Sequence, residues 1–183
     1  MDGHAERFAG RLVTAEDRRE DAAALEFETR LAESSTLAIR VAYSVVRNRS
    51  DAEDVAQEAF VRAHRAFSRL RDRDRFRAWL VRMTFRLALD WQRGRRRRGA
   101  REDAVARLRP AFVNAEHELI DSDRATRLWT AIDELPTKLR LVVVLAAIDG
   151  HGMREVAALL GIPEGTVKSR LFEAKRQLQE RLR

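Results

Sequence analysis

Hydrophobic residues recur along this chain at intervals of three and four, which is the spacing of an amphipathic α-helix. The pattern is steady from Leu25 onward, and Leu37, Val41 and Val45 share one face of a first helix that stops near Asn48. Alternating strand patterns are nearly absent, and the sequence holds only eight glycines and three prolines. We therefore predict an all-α protein.

A second helix is predicted to begin at "SDAE", where Ser50 is the expected N-cap and Glu53 completes a capping box. Its apolar stripe runs through Ala52, Val55, Ala56, Ala59, Ala63, Phe67 and Leu70. Because the remaining positions face the other way, an acidic and amide-bearing surface is expected to look outward from this helix.

A third helix follows the charged run "RDRDR" at 71–75, and its stripe is Phe76, Trp79, Leu80, Met83, Leu87 and Trp91. Trp79 and Trp91 lie on this stripe, so core packing is the expected role of both. Phe85 lies off the stripe between Arg82 and Arg86. The helix then runs into Gly94 and the arginines at 95–98.

The chain divides after these arginines. Residues 99–124 mix charge, glycine and proline with few apolar side chains, as a flexible linker does. We predict two small helical domains, an N-terminal one at 25–98 and a C-terminal one at 125–183, preceded by a mobile or weakly helical extension at 1–24. In the second domain, "KLRLVVVLAAIDG" is nearly apolar all round and predicts a buried central helix.

Positive charge is concentrated in one part of the chain. The formal net charge is +7, yet residues 69–101 alone hold 13 arginines against Asp72, Asp74 and Asp90, so this stretch is more positive than the whole chain. A local basic patch of this kind is the electrostatic footprint of a nucleic-acid binder, because neutralised phosphates release their counterions.

Other features of the sequence exclude several classes of protein. The absence of cysteine rules out disulfides and thiolate metal sites. The N-terminus has no apolar run suited to a signal peptide, and no stretch is long and apolar enough to insert in a membrane, so a soluble, cytoplasmic protein is expected. The four histidines are scattered and no glycine-rich phosphate loop is present, so we expect no metal, no cofactor and no catalytic site.

The C-terminal stretch "MREVAALLGIPEGTVKSRLFEAKRQL" predicts a helix-turn-helix. Met153, Val156, Ala157 and Leu160 form one short amphipathic helix, Gly161 permits the sharp turn, and a second helix opens after Pro163. The N-terminal end of that second helix would enter the major groove of duplex DNA. Its outward, candidate DNA-binding residues are Thr166, Lys168, Ser169, Arg170, Phe172, Glu173, Lys175 and Arg176.

These motifs together resemble one family. "GIPEGTVKSRLFEAKRQL" resembles the promoter-recognising helix-turn-helix of bacterial extracytoplasmic-function (ECF) sigma factors of the sigma-70 superfamily. "NRSDAEDVAQEAFVRAHRAF" is similar to the family helix that docks on RNA polymerase, and "DRFRAWLVRMTFRLALDWQRGRRRR" to its promoter-melting region. The matches follow the family order over about 130 of the 183 residues, with a linker where the family has one.

The resemblance implies a fold of two helical domains and a set of functional residues. It implies that the second helix contacts core RNA polymerase through Asp51, Glu53, Asp54, Gln57 and Glu58. It implies recognition of the duplex -35 element by the C-terminal helix-turn-helix and capture of the single-stranded -10 element by the first domain. The implied -10 residues are Arg71, Arg73, Arg75, Arg77, Arg82, Phe85, Arg86, Arg93, Arg95, Arg96, Arg97 and Arg98.

The family also commonly pairs such proteins with an anti-sigma factor, which is therefore a candidate partner here. At two positions the chain departs from the family pattern. Arg86 replaces the usual asparagine of "WLxxIAxN", and Glu173 follows the aromatic residue of the recognition helix where arginine is common. The base preferences at -10 and -35 therefore do not follow from the resemblance.

Two other functions are compatible with part of the pattern. A stand-alone helix-turn-helix regulator would dimerise through its N-terminal helices and bind duplex sites about one helical turn apart without polymerase. A nuclease would need acidic metal ligands, and the candidate pair Asp121 and Asp123 lies in the linker. The co-linear motifs favour a promoter-specificity subunit, which is not itself a catalyst.

Overall fold

The computed structural model describes residues 15–99 and 122–182, and every regular element within those two ranges is helical. The α-helices are α1 (Ala15–Val46), α2 (Arg49–Ala66), α3 (Phe76–Gly99), α4 (Ser122–Glu134), α5 (Thr137–Val143), α6 (Met153–Leu160) and α7 (Glu164–Arg181). Single 3₁₀ turns at Phe67–Arg69 and Arg73–Arg75 join α2 to α3, and a π-helical segment at Val144–Ile148 continues α5. The all-α prediction is confirmed. Residues 1–14 of the predicted extension and 100–121 of the predicted linker lie outside the described residues.

The first three helices pack through small and aromatic side chains. The stripe predicted for α2 is buried from Ala52 to Phe67, and its alanines let α1 and α3 approach closely. Phe27 of α1, Phe67 and Phe76 meet edge to face at centroid distances of 5.3 to 5.8 Å. Trp79 packs at the margin of this aromatic cluster, and Trp91 packs at the margin of a second cluster around Val45 and Val55, so the predicted core role of both tryptophans is confirmed.

The N-cap of α2 differs from the prediction. Asn48, with extended backbone, accepts a hydrogen bond at its side-chain oxygen from the Asp51 amide at 3.0 Å. Ser50 lies in the first turn of the helix, so its prediction as the cap is wrong. The reason is geometric: Arg47 takes a left-handed conformation (φ 59°), which turns the chain early enough for Asn48 to occupy the cap position.

The last four helices form a second unit around Arg140 of α5, whose side chain lies in the interior with only 6% of the residue exposed. Its guanidinium donates to the carbonyl oxygens of Ile132, Asp133 and Leu135 at the end of α4, at 3.2, 2.7 and 2.7 Å. Burial, together with the nearby charge of Arg47, lowers the pKa of Arg140 to about 10. One cation thus binds three carbonyl groups at the C-terminal end of α4, where intrahelical donors run out.

The two domains pack against each other. Leu37, Val41 and Val81 of the first domain share a hydrophobic core with α5, α6 and α7, including Leu145 and Val156. Arg140 also donates to the Ser44 carbonyl oxygen of α1 at 2.7 Å. Three ion pairs among the described residues cross the same boundary: Arg47 with Asp133, Arg40 with Asp149, and Arg77 with Glu155. The domains therefore bury part of their apolar surface on one another in this arrangement.

Candidate nucleic-acid interface

The helix-turn-helix predicted from the sequence is present as α6, a tight turn and α7. Gly161 ends α6 with a left-handed backbone (φ 66°), a conformation that glycine adopts without steric cost. The Ile162 amide then returns to the Ala157 carbonyl oxygen at 3.1 Å. Val167 and Ala174 bury the inner face of α7. This burial fixes which face of the helix is left for a partner.

The outward face of α7 combines an exposed aromatic ring with cationic side chains. Phe172 is 73% exposed, more than any other large hydrophobic residue in the described part of the chain. Lys168, Ser169, Lys175 and Arg176 are exposed around it. Of the other predicted residues, Thr166, Arg170 and Glu173 are half-buried. A phenylalanine ring exposed to this extent buries little apolar surface in the free chain, so most of the ring is available to a partner.

Ion pairs reduce the effective charge of this face. Arg176 donates to both oxygens of Glu173, at 3.0 and 2.6 Å, and Gln177 adds a third bond at 2.6 Å. The hydrogen bond from Arg176, followed by the one from Gln177, lowers the pKa of Glu173 to about 2. Glu173 is therefore an anion at any physiological pH, and much of the Arg176 charge is committed to it. Lys168 pairs less closely with Glu164, at 3.3 Å.

The arginines of α3 differ in what their side chains contact. Arg77 and Arg82 point at α6: Arg77 contacts Glu155 and His151, and Arg82 donates to the Ala158 carbonyl oxygen at 3.1 Å. Nearer the end of the helix, Arg93 pairs with Asp90 and Arg95 with Asp51. Arg86 and Arg97 are exposed, and the side chains of Arg96 and Arg98 lie outside the described residues.

Phe85 occupies the boundary between the two domains. The sequence puts it off the inward stripe of α3, and there it is half-buried, packed against both the α1–α2 side and the C-terminal domain. Beside it is a cleft of about 260 Å³ with an apolar floor and a cationic rim. Its lining residues are Arg82, Phe85, Arg86, Leu89, Lys138, Leu141, Leu160, Ile162 and Arg170. Lys138 and the α6 residues were not among the predicted site residues, because only tertiary packing brings them here.

The charged loop at 71–75 is tied to α1. Arg73 is half-buried and contacts Glu26, while Asp74 accepts a hydrogen bond from Arg30 at 3.1 Å. Arg75 pairs within the loop with Asp72 at 2.8 Å. Arg71 is exposed. The partners on α1 were not predicted, since a contact between residues 47 positions apart leaves no local signal in the sequence.

The acidic face predicted on α2 is only partly free. Asp54 and Gln57 are exposed, and Glu58 is exposed with an intrahelical partner, Arg62, at 2.6 Å. Glu53 pairs with Arg49 at 2.8 Å. Asp51 is the exception: its side chain is 18% exposed and paired with Arg95 of α3. The outward surface of α2 is thus centred on Asp54, Gln57 and Glu58.

Two further classes of site have no counterpart in the described residues. Among the helices at 15–99 and 122–182, none has both the length and the apolar content needed to cross a membrane. The same ranges contain no group of three or more His, Cys, Asp or Glu residues placed to hold a metal ion.

Comparison with known proteins identifies both domains. Residues 31–98 match the family description "Sigma-70 region 2", and residues 125–178 match "Sigma-70, region 4". The chain is 37% identical over 145 residues to "ECF RNA polymerase sigma factor SigE" of Mycolicibacterium smegmatis, covering 78% of this chain and 56% of that protein. It therefore spans little more than half of that relative. It is 30% identical over 141 residues to "ECF RNA polymerase sigma-E factor" of Escherichia coli, covering 72% of this chain and 74% of that one.

Solved structures show the same fold. The sigma factor RpoE of Bartonella quintana, in complex with the anti-sigma factor NepR, superposes with a TM-score of 0.69 at 24% identity, covering 85% of this chain and 96% of that one. CnrH, in complex with the cytosolic domain of CnrY, superposes with a TM-score of 0.59 at 27% identity, covering 86% of this chain and 92% of that one.

Proposed function

The chain belongs to the ECF group of RNA polymerase sigma factors in the sigma-70 family, and we propose that it directs core RNA polymerase to promoters and helps to open them. The observation that carries this proposal is the exposed aromatic and cationic face of α7 on a helix-turn-helix. The same chain carries an arginine-rich α3, so it offers one surface for duplex DNA and another for single strands.

The C-terminal domain is proposed to bind the duplex -35 element. In a helix-turn-helix the N-terminal part of the second helix enters the major groove. In this chain that part of α7 presents Thr166, Lys168 and Ser169. Lys168 and Lys175 would hold phosphates, and such contacts fix register without reading sequence. Phe172 would supply apolar contact to base edges.

The N-terminal domain is proposed to capture the single-stranded -10 element. Melted bases leave the stack, and basic grooves with aromatic platforms bind them. The loop at 71–75, Arg77, Arg82, Phe85 and the exposed Arg86 form the proposed groove, and the arginines at the end of α3 would hold the backbone. Because Arg82 and Phe85 contact the C-terminal domain, this groove requires the two domains to move apart.

Core RNA polymerase is the proposed partner of α2. An acidic face can steer a protein onto a basic surface and fix its register there. Asp54, Gln57 and Glu58 present such a face, with Glu53 and Asp51 beside it. The chain would act as a non-catalytic subunit in the cytoplasm. The cleft between the domains, with its apolar floor and cationic rim, suits an acidic amphipathic segment, and an anti-sigma factor is the proposed source of one.

A reconstituted transcription assay tests the proposal. Core RNA polymerase is incubated with and without the chain on a promoter library, and run-off transcripts are sequenced. We expect start sites that depend on the chain and share -35 and -10 elements. The chain alone is tested on the same duplexes by mobility shift. Tight binding of the chain to palindromic duplexes without polymerase, with no chain-dependent transcripts, would instead indicate a stand-alone regulator.

A further inference from the structure

The loop at 71–75 has no apolar anchor of its own. All five of its residues are charged, and Arg71, Asp72, Asp74 and Arg75 are exposed. A loop that buries no hydrophobic side chain is fixed only by the polar contacts it makes. Apart from the pairing of Arg75 with Asp72 inside the loop, the contacts that hold it must therefore come from neighbouring elements.

Helix α1 supplies two of these contacts. Glu26 and Arg30 lie one turn apart on the same face, joined by a hydrogen bond of 3.0 Å from the Arg30 Nε to the Glu26 Oε1. The second oxygen of Glu26 accepts from Arg73, and Arg30 donates to Asp74 at 3.1 Å. Two successive loop residues are thus bound by two side chains of one rigid helix.

The third contact comes from the aromatic cluster. The guanidinium of Arg73 lies over the ring of Phe67, 4.9 Å from its centroid, and Phe67 is buried. Arg73 is therefore held between a carboxylate and a ring face. The hydrogen bonds and charges of Arg73 and Arg30 lower the pKa of Glu26, in keeping with a carboxylate committed to two cations.

The three arginines of the loop are consequently unequal. Arg73 is turned inward, and Arg75 is paired inside the loop with Asp72. Arg71 is exposed and makes none of the ion pairs or hydrogen bonds found among the described residues. Its charge is the most available of the three to a phosphate group.

We propose that Glu26, Arg30 and Arg73 are positioning residues that hold the loop at 71–75 in the shape that captures an unpaired -10 base, and that Arg71 is the loop's phosphate contact. This rests on the function proposed above. The proposal assigns α1 a part in promoter opening, and it gives Arg73 a role distinct from the roles of the other two loop arginines, Arg71 and Arg75.

Salt dependence separates the two roles. Binding of a fluorescent single-stranded -10 oligonucleotide to the holoenzyme is measured over a range of KCl concentrations. Arg71→Gln should reduce the log–log salt slope by about 0.7, the value for one lost contact to a single strand. Arg73→Gln should weaken binding and leave the slope unchanged. A slope reduced equally by Arg73→Gln would show that Arg73 holds phosphate, and would overturn the proposal.

A double-mutant cycle tests the link to α1. With 2-aminopurine in the -10 element, Glu26→Gln should slow promoter opening by about two- to fivefold, the range expected for loss of an ion pair that is still in part accessible to solvent. Glu28→Gln, an exposed carboxylate on the same helix, is the matched control and should have no effect. Because Glu26 and Arg73 act together, the double variant should be no slower than the worse single one.

Effects that multiply in the double variant, or a Glu26→Gln rate equal to that of Glu28→Gln, would overturn the positioning role. These outcomes differ from failure of the proposed function itself. In that case the wild-type holoenzyme would form no open complex, and the positioning proposal would fall with it.

Discussion

The guanidinium of Arg82, on α3, donates a hydrogen bond of 3.1 Å to the main-chain carbonyl oxygen of Ala158, in the last turn of α6. A cation at this end of a helix meets carbonyl groups that lack intrahelical partners. Gly161 lies beside it, and a Cβ at that glycine would come within 3.4 Å of the Arg82 side chain. An arginine proposed to hold single-stranded DNA is thus occupied by the other domain.

Locking the two domains together should prevent promoter opening. Arg77→Cys with Glu155→Cys places thiols on two residues whose side chains meet at 3.4 Å, and the chain has no cysteine of its own to compete. Joining the two thiols with a short bismaleimide should abolish the rise in 2-aminopurine fluorescence that accompanies opening of the -10 element, because Arg82 and Phe85 stay covered. Each single-cysteine variant treated with the same reagent is the control. Normal opening by the joined chain would show that the domains need not separate.

The cationic face of α7 should contribute to duplex affinity through phosphate contacts. Lys168→Ala with Lys175→Ala should weaken holoenzyme binding to a duplex -35 fragment and reduce the salt slope by about 1.8, since each contact to duplex DNA contributes about 0.9. Lys138→Ala removes a cation from the same domain at the cleft and is the matched control. Binding is measured by fluorescence anisotropy across KCl concentrations. Equal losses from Lys138→Ala would mean that general charge, rather than this face, sets the affinity.

Arg170, another candidate DNA-binding residue of α7, is placed differently from Lys168 and Lys175. Arg170 is half-buried at the cleft rather than beside Phe172. Its role in duplex binding stays a prediction, and Lys168 and Lys175 are the better probes of the outward face.

Reversing charge on α2 should weaken assembly with core polymerase. Asp54→Lys with Glu58→Lys should slow association, with an effect that shrinks as salt rises, because exposed charges at an interface act chiefly on the rate of encounter. Glu33→Lys reverses an exposed charge on α1 and serves as the control. Association with core enzyme is followed by surface plasmon resonance. If Glu33→Lys slows association as much, net charge and not this face is responsible.

The sequence predicts local features of this fold well and long-range polar contacts poorly. The stripe of α2 and the turn at Gly161 follow from spacing and from backbone preference, which are properties of neighbouring residues. The contact between Glu26 and Arg73 depends instead on how α1 packs on the loop. Arg140 is the sole charged residue within "LRLVVVLAAI", which is a local signal in the sequence. Its four carbonyl partners, however, lie on α1 and at the C-terminal end of α4, outside its own helix.

The cap of α2 shows how a local prediction can miss by two residues. Asn48→Ala should lower the free energy of unfolding by about 1 kcal/mol, the usual cost of losing an N-cap side chain. Ser50→Ala should change it by less than about 0.5 kcal/mol, since Ser50 lies on an exposed first turn. Urea denaturation followed by circular dichroism measures both. A larger loss for Ser50→Ala would restore the capping box predicted from the sequence.

Arg140 should be among the residues most costly to replace in the C-terminal domain. Arg140→Met keeps much of the side-chain volume and removes every donor, so the buried carbonyl oxygens of Leu135 and Ser44 lose the hydrogen bonds that Arg140 donates. Each unsatisfied buried group costs about 1–3 kcal/mol, offset in part because a buried cation is also removed, so a net loss of about 2–4 kcal/mol is expected. Arg154→Met, on the exposed face of α6, is the control and should cost little. Urea unfolding measures both variants, and a loss below about 1 kcal/mol for Arg140→Met would mean that water or rearranged backbone replaces its hydrogen bonds.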